Sequence, residues 1–476
     1  MGDVAQLILA TLQWAVLAYF LLVNGFLALL LAMAAVDLRR QRMDEWLHAR
    51  WRLLGSDVAP LITILAPAHN EEATVAESVR SLLTLRYPSL EVVVVNDGSS
   101  DGTLAALKEE FDLVAVHPAP IRRRIETQPI RALYRSRRTP ALVVVDKENG
   151  GKADALNAGL EVATGELACA IDADTIVEPD ALQRMIRPFL LDDRVVAAGG
   201  TLRVANGTEV RAGRVTRERA PRRFLPGVQA VEYLRAFLAG RVGWNRLGGN
   251  LIISGAFGLF RREPMIAAGG YRHDTVGEDM ELVVRMRRRA LEQGGPDRIV
   301  FVPDPVAWTE VPSRLRVLAR QRDRWHRGLA DVVERHRGVV LNPRYGAMGL
   351  VVAPYFVFVE LLAPVVELFG IAVVLVGLPL GVDNIPFALL FMVVAYGLGL
   401  LLTTLTLALE EWTFGGYGGL RDRLTLLGFG MLESLGYRQL TALWRVRGLL
   451  RHWRGHAEWG AMERKGFRPA TPRARP

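Results

Sequence analysis

The sequence predicts an α/β domain on a mainly parallel sheet, set between apolar segments long enough to cross a membrane. Three observations predict it. Short apolar, β-branched runs alternate with amphipathic stretches through the middle of the chain, as strands and helices do in parallel sheets. Glycines and acids cluster directly after those runs, where open sheets of this kind bind ligands. Long stretches towards both ends carry almost no charge, which brings the mean hydropathy of the 476 residues to +0.18 although 23% of them are charged.

The first element is Val4–Val36, 33 residues without a charge. As a helix it is about 50 Å long against a hydrocarbon core of about 30 Å, so it forms one span (residues 1–37) with a projecting end rather than two. Only Asp3 among the residues before it is charged. A cleaved signal peptide has a positive start and a shorter apolar run, so the span is expected to stay. Arg39-Arg40-Gln41-Arg42 opens a juxtamembrane linker, residues 38–59, and places that side in the cytoplasm by the positive-inside rule.

Residues 60–344 carry the alternating pattern. Leu61–Ala66 is a short strand ended by Pro67, and the helix after it presents Val75, Val79, Leu82 and Leu83 on one face. Val92–Val95 is a strand of the kind covered on both faces. The cycle repeats with a helix from Thr103, strand Leu142–Val145, helix Ala153–Val162, strand Leu167–Ile171 and a helix from Pro179. The single cysteine, Cys169, lies in that last strand, excludes an intramolecular disulfide and is expected in the core. The arginine-rich stretches Arg122–Arg138 and Arg211–Arg223 read as solvated or headgroup-facing surface.

The strand ends carry the chemistry. Asn96-Asp97-Gly98-Ser99-Ser100-Asp101-Gly102 is a tight turn that lets a ligand approach backbone N–H groups, with Asp97 as an acceptor for a base or ribose, or simply a common turn. Gly150-Gly151-Lys152 enters a helix whose N-terminus favours anions. Only four lysines stand against the many arginines of this chain, and Lys147 and Lys152 flank this turn, as compact ammonium groups for phosphate or as a surface pair. Asp172-Ala173-Asp174 sets two carboxylates at a strand end, either as a grip for a divalent cation that also bridges substrate phosphates or as two solvated acids. Glu278-Asp279 opens a helical segment, and Gln321, Arg324 and Trp325 share one helical neighbourhood in a basic stretch.

Residues 345–443 form a second membrane region. Apolar stretches near Pro354–Leu378 and Phe387–Leu409, parted by the turn Gly381–Pro386, are expected to span, and Leu424–Leu443 to lie in the interface. Glu360 and Glu367 fall seven residues apart inside the apolar region, so they face a partner, either an arginine or a water-filled path. The formal charge of +9 is nearly all in the tail: from Arg438 onward ten Arg/Lys stand against two Glu. Residues 444–476 form that basic tail, whose tryptophans suit lipid headgroups better than nucleic acid, so no nucleic-acid partner is expected.

In this order and spacing the motifs resemble those of processive, membrane-integrated family 2 glycosyltransferases, a group that includes poly-N-acetylglucosamine, chitin-oligosaccharide, hyaluronan and cellulose synthases. The resemblance implies a GT-A-type, Rossmann-like catalytic domain. Pro67-Ala68-His69-Asn70-Glu71 is similar to the family's opening motif, with His69 where Tyr is more frequent. It implies that Glu71, Asp97, Lys152, Asn157, Asp172 and Arg324 bind the nucleotide-sugar, and that Asp172 and Asp174 hold Mg²⁺ or Mn²⁺. Gln321, Trp325, Ser254 and Gly255 would line the acceptor, and Asp279, beside Glu278, would be the general base. Gly277 departs from the Thr common before this acidic pair.

The implied reaction is inverting, metal-dependent transfer from a nucleotide-sugar, UDP-GlcNAc, to a growing β-linked polysaccharide, with export across the plasma membrane and a cytoplasmic catalytic domain. Partners would be the donor, the polysaccharide acceptor, membrane lipid, and a small membrane subunit or a second copy of the chain. Transfer of a single sugar to a lipid, and an inactive nucleotide- or polymer-binding subunit, stand as alternatives.

Overall fold

The valine run Val92–Val95 lies in the middle of a ten-stranded sheet with no side chain more than 1% exposed, because helices cover both faces. The structure, a computed structural model, describes residues 2–47, 59–116, 124–172, 175–211, 214–377, 385–415 and 417–455. The Gly381–Asn384 part of the expected turn, residues 48–58 of the linker and the tail beyond residue 455 lie outside them.

The strands are β1 (Ile62–Ala68), β2 (Leu90–Asp97), β3 (Leu113–Val116), β4 (Ile130–Ser136), β5 (Leu142–Lys147) and β6 (Leu167–Ile171). Then come β7 (Ile176–Val177), β8 (Val195–Val204), β9 (Glu209–Arg211), β10 (Arg214–Arg217), β11 (Phe257–Arg261) and β12 (Arg298–Thr309). The sheet order is β3-β4-β5-β2-β1-β6-β11-β8-β12-β7, and β9 and β10 pair as a separate ribbon. β1 runs parallel to β2 and β6, β2 to β5 and β8 to β12, while β4, β7 and β11 run against their neighbours. The sheet is therefore mainly parallel, as the alternating pattern predicts.

Strand direction builds the site. β2, β5 and β6 all deliver their carboxyl ends to one edge, with Asp97 in register with Lys147. The antiparallel β11 begins at Phe257 opposite Ile171, so Ser254-Gly255-Ala256 arrives at that same edge from the other direction. The helix Lys152–Val162 follows β5 and is buried almost all round, and the helix Glu278–Gln293 brings its first turn to the edge. Cys169 is fully buried, and burial pushes its thiol up, so it is a core residue. Two stretches that read as surface hold structure: β4 lies within Arg122–Arg138, and β10 within Arg211–Arg223, where β9 ends.

These strands belong to one compact unit, Glu45–Arg219 with Asn250–Val311; the second comprises Met1–Asp44, Ala220–Gly249 and Pro312–Gly460. In the second unit a single helix runs Gly2–Leu47. Among the described residues two helices, Gln6–Gln41 and Leu389–Phe414, are long and apolar enough to cross a membrane, or three if the bent pair Met348–Leu361 and Ala363–Gly377 counts as one. That pair bends by 45° between Glu360 and Glu367. Each acid meets an arginine: Arg438 Nε lies 3.0 Å from Glu367 and Arg445 lies 3.8 Å from Glu360. Pairing of this kind offsets the cost of charge in an apolar region. The segment Leu424–Leu443 is broken at Gly436, which takes φ +91°, between helices Leu420–Leu432 and Arg438–Trp453.

Candidate active site

The glycine turn after β5 is organised by buried charge. Asp97, at the end of β2, accepts from the amides of Gly150 at 3.0 Å and Gly151 at 2.8 Å. Lys147 Nζ reaches the same carboxylate at 2.7 Å. Gly151 sits at φ +83°, a left-handed conformation that glycine takes without strain, and turns the chain into the helix at Lys152. On the other side the opening motif clasps the first turn: Asn70 N donates to Ser99 Oγ at 3.0 Å, Ser100 N to Asn70 Oδ1 at 2.8 Å and Glu71 N to Thr103 Oγ1 at 2.8 Å.

Beyond this turn a lysine and three acids converge. Lys152 Nζ lies 2.5 Å from Asp172 Oδ1 and 3.7 Å from Glu278 Oε1. Asp279 accepts from the Gly255 amide at 3.1 Å through one oxygen and from the Met280 amide at 2.8 Å through the other. Gly255 fits between these groups: a Cβ there would stand 3.0 Å from Lys152 Nζ and 3.7 Å from Asp279 Oδ2. Burial would push the Lys152 ammonium down, but Asp172 and Glu278 outweigh it and hold its pKa above the usual lysine value. Glu278 is pushed up to about 7, first by burial and then by the charge of Asp279, against the pull of Lys152.

The structure thus brings Lys152, Asp172, Glu278, Asp279 and Gly255 together, with Ser254 next to them in the chain. Two other expected residues, Asp97 and Asn157, are turned inward, and Glu71 is half-buried. Asp97 is 3% exposed, with its oxygens engaged by the turn and by Lys147. Asn157 is 1% exposed and exchanges two hydrogen bonds with the backbone of Tyr271, pinning the loop before Glu278 to the Lys152 helix. Glu71 accepts from the Thr74 hydroxyl at 2.6 Å in the turn that starts its helix. Lys147 is fully buried and not free for a phosphate. Asp174 lies outside the described residues.

Gln321, Arg324 and Trp325 lie on the helix Leu315–Arg335 of the second unit. The Trp325 side chain is 42% exposed, with the Arg322 guanidinium 4.9 Å from its ring centre. Gln321 Oε1 is buried without a hydrogen-bond partner among the described residues.

Sequence reasoning missed Asp154 and Tyr271. Asp154 is 3% exposed, pairs with Lys147 and accepts from Gln128 N at 3.0 Å. The signal for it was an acid in the first turn of a helix that begins at a lysine. A cavity of about 620 Å³ opens beside Gly150, Gln128, Asp154 and His273.

An edge where parallel strands end in acids, a glycine turn and a helix N-terminus suits a phosphate-bearing ligand. Comparison with known proteins names the class. Residues 63–265 match the family described as Glycosyl transferase family 2, and residues 169–409, about half of the chain, match Glycosyl transferase family group 2. The chain belongs to glycosyltransferase family 2. It is 28% identical over 275 residues to the poly-beta-1,6-N-acetyl-D-glucosamine synthase of Staphylococcus aureus, covering 58% of this chain and 56% of that relative, little more than half its length. It is 26% identical over 340 residues to the probable glycosyltransferase YdaM of Bacillus subtilis, covering 70% and 68%. Among solved structures, the mannosyltransferase PcManGT of Pyrobaculum calidifontis, in complex with GDP-Man and Mn²⁺, aligns over 87% of this chain and 99% of its own at 21% identity, with a TM-score of 0.48.

Proposed function

We propose that the chain transfers a sugar, with inversion, from a nucleotide-sugar to a growing β-linked polysaccharide, and that UDP-GlcNAc is the donor. The observation that carries the reading is the convergence of Lys152, Asp172 and Glu278 with Asp279 around Gly255. Asp279 takes the proton of the acceptor hydroxyl, whose oxygen then attacks the anomeric carbon. The bond from that carbon to the diphosphate oxygen breaks, and the negative charge on the leaving group is met by Lys152. An α-linked donor gives a β-linkage.

Asp172 offers a hard oxygen donor that already draws a cation, the Lys152 ammonium, and Asp174 offers a second. That donor set fits Mg²⁺ or Mn²⁺, which is held by few protein carboxylates together with substrate phosphates. A divalent ion held there supplies charge neutralisation to the leaving diphosphate.

Three features support polymer synthesis over a single transfer. The Trp325 ring is accessible for stacking on a sugar, the Gln321 oxygen is unpartnered among the described residues, and apolar helices follow later in the chain. By the positive-inside rule the catalytic domain faces the cytoplasm in this reading, and the reading includes export of the product across the plasma membrane. Membrane lipid, and a small membrane subunit or second copy, complete the expected partners. The test is to offer the purified protein labelled nucleotide sugars with Mg²⁺ or Mn²⁺, then with excess chelator. Incorporation from UDP-GlcNAc into material cut by a linkage-specific hydrolase, and its loss with chelator, is expected. Undiminished transfer in chelator would remove the metal, and transfer from another donor alone would remove UDP-GlcNAc.

A further inference from the structure

Lys147 is one of the largest fully buried side chains in the protein, and the reaction described above does not use it. Its ammonium has three donors and three partners: Asp97 Oδ1 at 2.7 Å, the Glu148 carbonyl at 2.5 Å and the carboxylate of Asp154. Asp97 in turn receives the amides of Gly150 and Gly151, with Asn149 Nδ2 at 3.4 Å. Gly150 is packed so closely on Asp154 that a Cβ would stand 2.5 Å from its Cγ. The chain from 147 to 154 is thus wound around one buried cation, and Lys152 is the residue projected outward from the winding.

We infer that Lys147 is a positioning residue for donor binding, holding the turn 148–151 and thereby setting where the Lys152 ammonium stands. Physical chemistry explains why a charge is used. An ammonium is a point cation that fills a small site with three directed donors, whereas a guanidinium is a wide planar fork. Two buried carboxylates without it would repel each other, and relief would come by unwinding the turn. The first consequence, an ordered turn, is a property of the ligand-free protein. The second, donor affinity, rests on the function proposed above.

The test separates the two. Hydrogen exchange read by mass spectrometry on the full-length protein should show residues 148–154 of Lys147→Met exchanging faster by roughly tenfold or more, with protection of β1, β2 and β6 kept. Calorimetric titration with UDP and with GDP, each with Mn²⁺, should show a nucleotide Kd raised by roughly tenfold or more, since small displacements of a positioned group have effects of that size. Where Lys147→Met does not fold, Asp154→Asn takes its place. It leaves the Lys147–Asp97 pair intact and should move both readouts in the same direction by about threefold. A folded Lys147→Met with wild-type exchange at 148–154 overturns the inference, as does faster exchange with unchanged nucleotide affinity. Asp154→Asn with neither readout moved overturns it when the first variant is unfolded. A wild type that binds neither UDP nor GDP removes the donor reading instead, and the exchange result then decides whether Lys147 holds the turn.

Discussion

Asp279→Asn changes one atom and disturbs two hydrogen bonds. Both oxygens of the carboxylate accept from backbone amides, Gly255 N at 3.1 Å and Met280 N at 2.8 Å. An amide side chain has one oxygen, so either orientation turns its NH₂ group towards an N–H donor. One charge-assisted bond is lost, which costs about 1.5–3 kcal/mol, and the loop 254–256 loosens from the helix Glu278–Gln293. The base is lost as well, and that contribution to turnover is roughly 10²–10⁴-fold. The variant is expected to fold, to melt several degrees lower in a detergent thermal-shift assay, and to bind the donor with near wild-type affinity by calorimetry. Label incorporation at saturating donor should fall by at least 10²-fold, about 2.7 kcal/mol on the barrier. Turnover within tenfold of wild type would refute the assignment of Asp279 as the base. Collapsed donor affinity with normal turnover at saturation would make it a donor ligand instead.

Two further outcomes follow from the same cluster. Gly255→Ala sets a methyl 3.0 Å from Lys152 Nζ, the free end of a flexible side chain, so the fold should survive while the ammonium moves by tenths of an ångström. Turnover is expected to drop roughly tenfold, and unchanged turnover would show that Lys152 is not fixed there during the reaction. Glu278 is raised to about 7 from an ordinary glutamate value of 4.5, so its contribution to stability is present at low pH and lost as pH rises through about 7. Glu278→Gln cannot ionise, and its melting temperature should gain on wild type between about pH 5.5 and pH 8. A difference that does not change with pH would mean that the carboxylate stays charged throughout.

The parallel centre of the sheet was legible because β1, β2, β5 and β6 are uninterrupted apolar runs that each end in a polar cluster. β4 was not. In Ile130–Ser136, Arg131 and Arg135 point away from the half-buried face formed by Ile130, Ala132 and Tyr134, and two arginines in seven residues outweighed the alternation. β8 and β12 were missed because Gly199-Gly200 and the prolines 303 and 305 read as breaks, whereas Phe301 packs close above Gly199 and Val306 above Gly200. At the site, Lys152, Asp172, Glu278 and Asp279, which residue type and position single out, come together in the structure. Which way a side chain turns was not legible. Asp97 and Lys147 face each other only because β2 and β5 pair in that register, and a one-residue slip of either strand would send its residue to the opposite face. Two lysines five residues apart therefore have different fates, Lys147 sealed inside and Lys152 at the edge.

The central claim is that this family 2 glycosyltransferase builds a polymer, and product length measures it most directly. Purified wild-type protein in lipid, given labelled UDP-GlcNAc and Mn²⁺ or Mg²⁺, should give long chains on a gel from the earliest time points while most acceptor remains unextended. Trp325→Ala should give short products or none, with donor affinity by calorimetry kept, because an exposed indole face holds a sugar ring without fixing its register. A wild type that adds one sugar to a lipid acceptor and stops would contradict the account.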